Sequence, residues 1–238
     1  MKTKLILVIL LLGIMGLLFG SEDPAEMDEM QRRIKELKAL SERFKAEKGF
    51  DGVIDTNTEV MKLSHFSGNF KDIDMNAVRD SLAFRQVCNR IINKLLPYIG
   101  AKENQLDAGN ISISSTSIRT QYQQRANGYP IWGEGRLVIS YERDYNRISI
   151  LNVTVDIANQ PVQPLISDIE AKQLAIDMHK NRTGRSFDNN ETTISGPCYS
   201  NGGRDRYYIA YLVTVEDITY FVDALESKVV VYFDFTRY

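Results

Sequence analysis

The stretch YQQRANGYPIWGEGRLVIS, residues 122–140, organises the reading of this sequence. It closes a segment in which Ile118, Thr120, Tyr122 and Gln124 alternate with polar and charged neighbours, the period of a half-buried strand. Asn127-Gly128 follows. Both residues tolerate positive φ, so the pair reads as a two-residue hairpin turn. A proline-aromatic-glycine run, Pro130 to Gly133, then leads into a second strand with Leu137, Ile139 and Tyr141 on one face. Arg143 to Asn146 is a second turn. Ile148 to Ile157 reads as a third strand whose apolar phase slips between Ile150 and Leu151, the mark of a bulge.

Upstream, residues 74–98 predict a helix with Phe84, Cys88, Ile91, Ile92 and Leu95 on its buried face and Gly100 as its C-cap. Residues 49–74 are mixed, with one short strand expected at Val60–Leu63. Residues 23–48 are charged throughout. Asp23-Pro24-Ala25-Glu26 starts a helix there, and Met27, Met30, Ile34, Leu37 and Phe44 form one narrow apolar stripe interrupted by Ser41. This helix is read as packing on its own domain or as a solvated spacer. The alternative is a short coiled coil or a partner-binding helix.

Downstream, residues 159–165 read as a proline-containing linker. Ser167-Asp168-Ile169-Glu170 is a capping box, with Ala171, Leu174, Ala175 and Met178 following at helical spacing. Strands are expected at Tyr207–Val215, Thr219–Ala224 and from Lys228 to Phe235. Each half is therefore a helix followed by antiparallel strands, an α+β organisation used twice.

At the N-terminus, Lys2 and Lys4 precede the unbroken apolar run Leu5–Phe19, then Gly20, Ser21 and an acidic stretch. That is the order of a signal peptide, residues 1–20, with cleavage expected near Gly20. The run is short for a membrane span, which takes roughly 20 residues. An uncleaved anchor is the alternative, and the only route to a membrane. Export permits a Cys88–Cys198 disulfide, although two free thiols, one of them buried, are favoured. Four N-x-S/T sequons, at Asn110, Asn152, Asn181 and Asn190, are read as chance occurrences.

Composition excludes several classes. The formal net charge is −2, with no basic stripe for nucleic acid. Two cysteines and two histidines are too few for a disulfide scaffold or a Cys-rich zinc site. His65 and His179 lack metal-site spacing, and His179 is expected on the solvent side of a helix end. No phosphate loop or nucleophile elbow is found, and Asp223 reads as an ordinary strand-end acid. No catalytic residue, metal or cofactor is expected, so the chain is read as non-enzymatic. Trp132, the one tryptophan, is expected in the core over the sheet, the alternative being an exposed partner anchor. Of Gln123 and Gln124, adjacent on a strand, one is expected to point inward and need a hydrogen-bond partner.

Residues 122–140 resemble the core motif of the fungalysin/thermolysin propeptide (FTP) domain, through Tyr122, Gln123, Gln124, Asn127, Gly128, Tyr129, Pro130, Ile131, Trp132 and Gly133. The upstream LSHFSGNF, residues 63–70, sits where that family begins. The second half is similar to a PepSY-type module in residues 166–178, 207–215 and 220–232, with Glu226-Ser227 where a Thr-Gly turn is usual. The resemblance implies two cystatin-like modules, each a helix on an antiparallel sheet. The division is a signal peptide (1–20), a charged helix and linker (21–58), the FTP-like module (59–158) and the PepSY-like module (165–238). Thermolysin-like enzymes carry His-Glu-x-x-His, which is absent here, so the resemblance implies a propeptide without its protease. It further implies binding in trans to a secreted thermolysin-like metalloprotease, as inhibitor or folding chaperone. Tyr122, Gln123, Gln124, Asn127, Gly128, Pro130, Trp132 and Gly133 are the candidate partner-binding residues. The alternative is an envelope-associated structural or interaction module unrelated to proteolysis.

Overall fold

The computed structural model describes residues 24–75, 78, 80–157, 163–185, 192–201 and 207–234. The expected signal peptide, most of the linker at 159–165 and the sequon at Asn190 lie outside the described residues. The described chain is α+β, with two antiparallel sheets and a helix against each.

The first half opens with α1 (Pro24–Lys48), β1 (Phe50–Asn57), β2 (Lys62–Phe70) and α2 (Ser81–Leu95). It continues with β3 (Leu106–Ile113), β4 (Ser117–Ala126), the two-residue β5 (Tyr129–Pro130), β6 (Arg136–Glu142) and β7 (Arg147–Asn152). The sheet order is β1-β2-β7-β6-β4-β3, with β5 paired to the tip of β4. Phe84, Cys88, Ile91, Ile92 and Leu95 of α2 are buried, and join one cluster with Tyr122, Leu137, Ile139, Ile148 and Ile150. This is the buried face expected from the sequence.

The boundaries of α2 differ from that expectation. The helix starts at Ser81 because Asp80 caps it, accepting from the Ala83 amide. It ends at Leu95, and a 3-10 turn, Leu96–Tyr98, carries Pro97. Gly100 is not its C-cap. A Cβ there would sit 2.6 Å from the Val155 carbonyl carbon, so this glycine permits a close backbone approach.

Strand β1 lies within the segment read as helix and linker, and pairs with β2 along its whole length. Helix α1 packs on the same module through its C-terminal half. Phe44 is fully buried, with its ring against Phe50, Phe66, Phe70 and Tyr98. Met27, Met30 and Ile34 remain exposed. Strand β7 shows no bulge: its register against β6 is continuous. Ile148, Ile150 and Asn152 face inward while Leu151 faces out, so the apparent slip is an exposed leucine in a regular strand. Asn152 is buried and donates to the Leu63 carbonyl at 2.7 Å, which makes its sequon a structural site.

The second half comprises α3 (Asp168–Thr183), β8 (Thr192–Ser200), β9 (Tyr208–Val215), β10 (Ile218–Asp223) and β11 (Lys228–Asp234), in the order β11-β10-β9-β8. The Ser167–Glu170 capping box is present, and Gly184 caps the C-terminus of α3 at φ 69. Ala171, Ala175 and Ile176 of α3 join the cluster formed by Tyr211, Val213, Tyr220 and Val222. His179 is fully buried, not solvent-side, because its Nδ1 pairs with the Tyr220 hydroxyl at 2.8 Å. Strand β8 runs through SGPCYS, residues 195–200. Its register shifts between Ser195 and Cys198, where Gly196 and Pro197 interrupt the ladder.

Candidate functional site

The motif at 122–133 lies where the two sheets meet. Asn127 and Gly128 adopt φ 51 and 84, which turns β4 back onto β5. The chain then crosses to the second module. Ile131 bridges Tyr199 of β8, the Trp132 amide donates to the Tyr199 carbonyl at 2.8 Å, and the Asn127 side chain donates to the Tyr199 hydroxyl at 2.8 Å. The run of Gly133 and Gly135, both at positive φ, brings it back into β6.

The two glutamines divide as strand alternation requires. Gln124 is fully buried. Its Nε2 donates to the carbonyls of Val155 and Gly100, at 2.8 and 3.3 Å, and its Oε1 accepts from the Val155 amide at 2.9 Å. It therefore ties β4 to the segments after the 3-10 turn and after β7, not to the Asn127-Gly128 turn. Gln123 is half-buried. Its Nε2 reaches the carbonyls of Gln124, Ile131 and Gly135 and holds the loop between β5 and β6. Tyr122 is buried beneath the Arg85 guanidinium, 5.5 Å from its ring, and burial pushes its hydroxyl pKa up. Tyr122 and Gln124 are thus removed from the candidate partner-binding set, because neither reaches the surface.

Gln123, Asn127, Gly128, Pro130, Trp132 and Gly133 remain at least partly accessible. Trp132 departs from the core expectation at 42% exposure. Its ring stands edge-on to Phe221 at 4.7 Å and tilts over Phe233 at 6.1 Å. Phe221 and Phe233 lie on the face of the second sheet turned away from α3, where Phe233 is 41% exposed. A groove of about 550 Å³ runs beside the indole, lined by Gln121, Gln123, Pro130, Trp132, Arg136 and Cys198. The sequence reading missed Phe221 and Phe233. Their signal was the strand alternation of 219–222 and 229–233, in which Tyr220 and Val222 take the helix side and leave Phe221 opposite.

A second cavity, about 670 Å³, opens between α1, the first sheet and residues Asn201 and Tyr207 of the second module. Lys62 lines it and donates to the Thr154 carbonyl at 3.1 Å, and burial lowers its pKa. Cys88 and Cys198 are both free and both buried, so the Cys88–Cys198 disulfide is not formed. Cys88 faces the first core and Cys198 the outer face of the second sheet. Burial pushes both thiols up to about 12, which leaves neither as an available thiolate. Asp223 accepts from the Leu225 and Glu226 amides and so caps the turn after β10. Among the described residues, no group of three His, Cys, Asp or Glu side chains is gathered to hold a metal ion.

No family model matches the chain, and no curated protein matches it. Among solved structures, the Bacillus megaterium YpeB C-terminal domain is a distant neighbour at 11% identity and a TM-score of 0.32, covering 83% of this chain and 95% of that one.

Proposed function

We propose that this is an exported protein-binding module that acts in trans on a secreted thermolysin-like metalloprotease, as inhibitor or folding chaperone. The observation that supports the reading is the aromatic surface of Trp132 and Phe233. Large exposed aromatics beside a groove are the anchors that dominate protein interfaces. The FTP-like and PepSY-like resemblances supply the class of partner, and the apolar run Leu5–Phe19 supplies the export.

A prodomain in its own chain acts at high effective concentration, and a separate one must replace that advantage with interface. Trp132, Phe233 and the exposed Met27, Met30 and Ile34 of α1 are available for it. The test is to mix the purified protein with a thermolysin-like metalloprotease, then follow peptide hydrolysis and co-elution together. Dose-dependent inhibition with a stable complex is expected. Unchanged hydrolysis and separate elution, with the protein folded, would remove the protease reading.

A further inference from the structure

The face of the first sheet turned away from α2 carries three side chains that neither the fold nor the Trp132 surface requires. His65 on β2 stands opposite Asp55 on β1 and opposite Leu151 on β7. Its Nδ1 lies 3.2 Å from Asp55 Oδ2, and its Nε2 lies 3.1 Å from Ser149 Oγ. A carboxylate can only accept, so Asp55 holds the imidazole proton on Nδ1. In the neutral imidazole, Nε2 is then the acceptor and the Ser149 hydroxyl the donor. This is the order that activates a serine: an orienting acid, a base and a nucleophile.

The surroundings extend the arrangement. The sheet register puts Ser67 on one side of Ser149 and Ser140 on the other, with Arg119 across from Ser140. Backbone amides on these central strands are committed to the ladder. Donors for a developing oxyanion therefore come from the Ser67 and Ser140 hydroxyls and the Arg119 guanidinium. Leu151 and Val53 are exposed on the same face, beside His65 and Ser67 respectively, and offer apolar contact to an acyl chain.

We propose that Ser149 is a nucleophile activated by His65 and oriented through Asp55, and that it takes acyl groups from activated esters with short apolar chains. Ser149 Oγ forms the bond to the ester carbonyl carbon as its proton passes to His65 Nε2. Collapse of the adduct breaks the bond to the leaving alkoxide, which recovers that proton from the imidazolium. Water then attacks the acyl-serine as His65 Nε2 takes its proton, and collapse of this second adduct breaks the bond to Ser149 Oγ, which recovers the proton as the carboxylic acid leaves. The serine alkoxide is a poorer leaving group than that of an activated ester, so hydrolysis is slow and the acyl-serine accumulates.

The experiment treats the purified protein with p-nitrophenyl acetate and p-nitrophenyl butyrate and maps the adducts by peptide mass spectrometry. One adduct on Ser149 is expected. His65→Gln should slow its formation by about tenfold or more, less than the roughly 10²–10⁴ of an enclosed base because the site is exposed. Asp55→Asn should slow it more than Asp55→Ala. The amide N–H of asparagine donates to Nδ1 and moves the imidazole proton to Nε2, a change read directly from the ring ¹⁵N shifts of His65. Adducts confined to lysine and tyrosine would overturn the proposal. So would Ser149 labelling that is unchanged in a His65→Gln variant with the parent's unfolding midpoint.

Discussion

The side-chain amide of Asn127 donates to the hydroxyl of Tyr199 at 2.8 Å, and so the hairpin turn of the first module is bonded to β8, an edge strand of the second. Tyr199 is fully buried and also accepts from the Trp132 amide through its carbonyl. The motif around Asn127-Gly128 is therefore a joint as well as a turn. Tyr199→Phe removes only the hydroxyl and should cost about 0.5–1.5 kcal/mol, the net worth of one such bond. Asn127→Ala adds the loss of a residue suited to positive φ and should cost more. A double-mutant cycle in urea should give a coupling energy between the two positions, and simple additivity would show that they act separately.

Gln124 supports a sharper expectation. Its side chain satisfies a buried amide and two carbonyls at Val155 and Gly100. Gln124→Leu keeps the volume but strands those groups, at about 1–3 kcal/mol for each one left unsatisfied. The unfolding midpoint should fall clearly. Gln123→Leu, at a half-buried position, should fall less.

The buried His179 makes stability depend on pH. Burial lowers its pKa below the ordinary histidine value of 6.5, outweighing Glu216, which raises it; Arg182 and Arg185 lower it further. The unfolded chain then binds a proton that the folded chain resists. Stability should be full above the unfolded value and lost as pH falls through 6.5 toward the folded pKa. Urea midpoints between neutral and mildly acidic pH should show the decline, and His179→Gln should flatten it. An unchanged slope in that variant would place the dependence elsewhere.

Ser227 follows the Asp223 turn with φ 53, a left-handed conformation that glycine adopts without penalty. Ser227→Gly should raise stability by about 0.5–1 kcal/mol. Gly184→Ala, which places a side chain at φ 69 on the α3 cap, should lower it by a similar amount.

Features set by short-range chemistry were legible in the sequence. These are the Asn127-Gly128 turn, the Ser167–Glu170 box and the buried stripe of α2, each of which needs only its near neighbours. What escaped depended on partners far along the chain. β1 shifts register between Asp55 and Thr56, and β8 between Ser195 and Cys198 around Gly196 and Pro197, so their alternation is broken. His179 looked solvent-facing because Tyr220, which buries and bonds it, lies on another element. Trp132 looked like a core residue, but it covers the outer face of the second sheet from one side only. The contact between His65 and Ser149 spans 84 positions, and sequence spacing carries no trace of it.

Trp132 is the one tryptophan in the chain, so its emission reports directly on a protein partner received at its surface. The most direct measurement titrates the protein with a thermolysin-like metalloprotease whose own tryptophans are replaced by phenylalanine, following Trp132 emission and peptide hydrolysis in one cuvette. A blue shift that saturates together with inhibition, and inhibition that Phe233→Ser weakens by about tenfold or more, the range of an interface anchor, is the result expected. Emission and hydrolysis both unchanged, with the protein folded, would contradict the account.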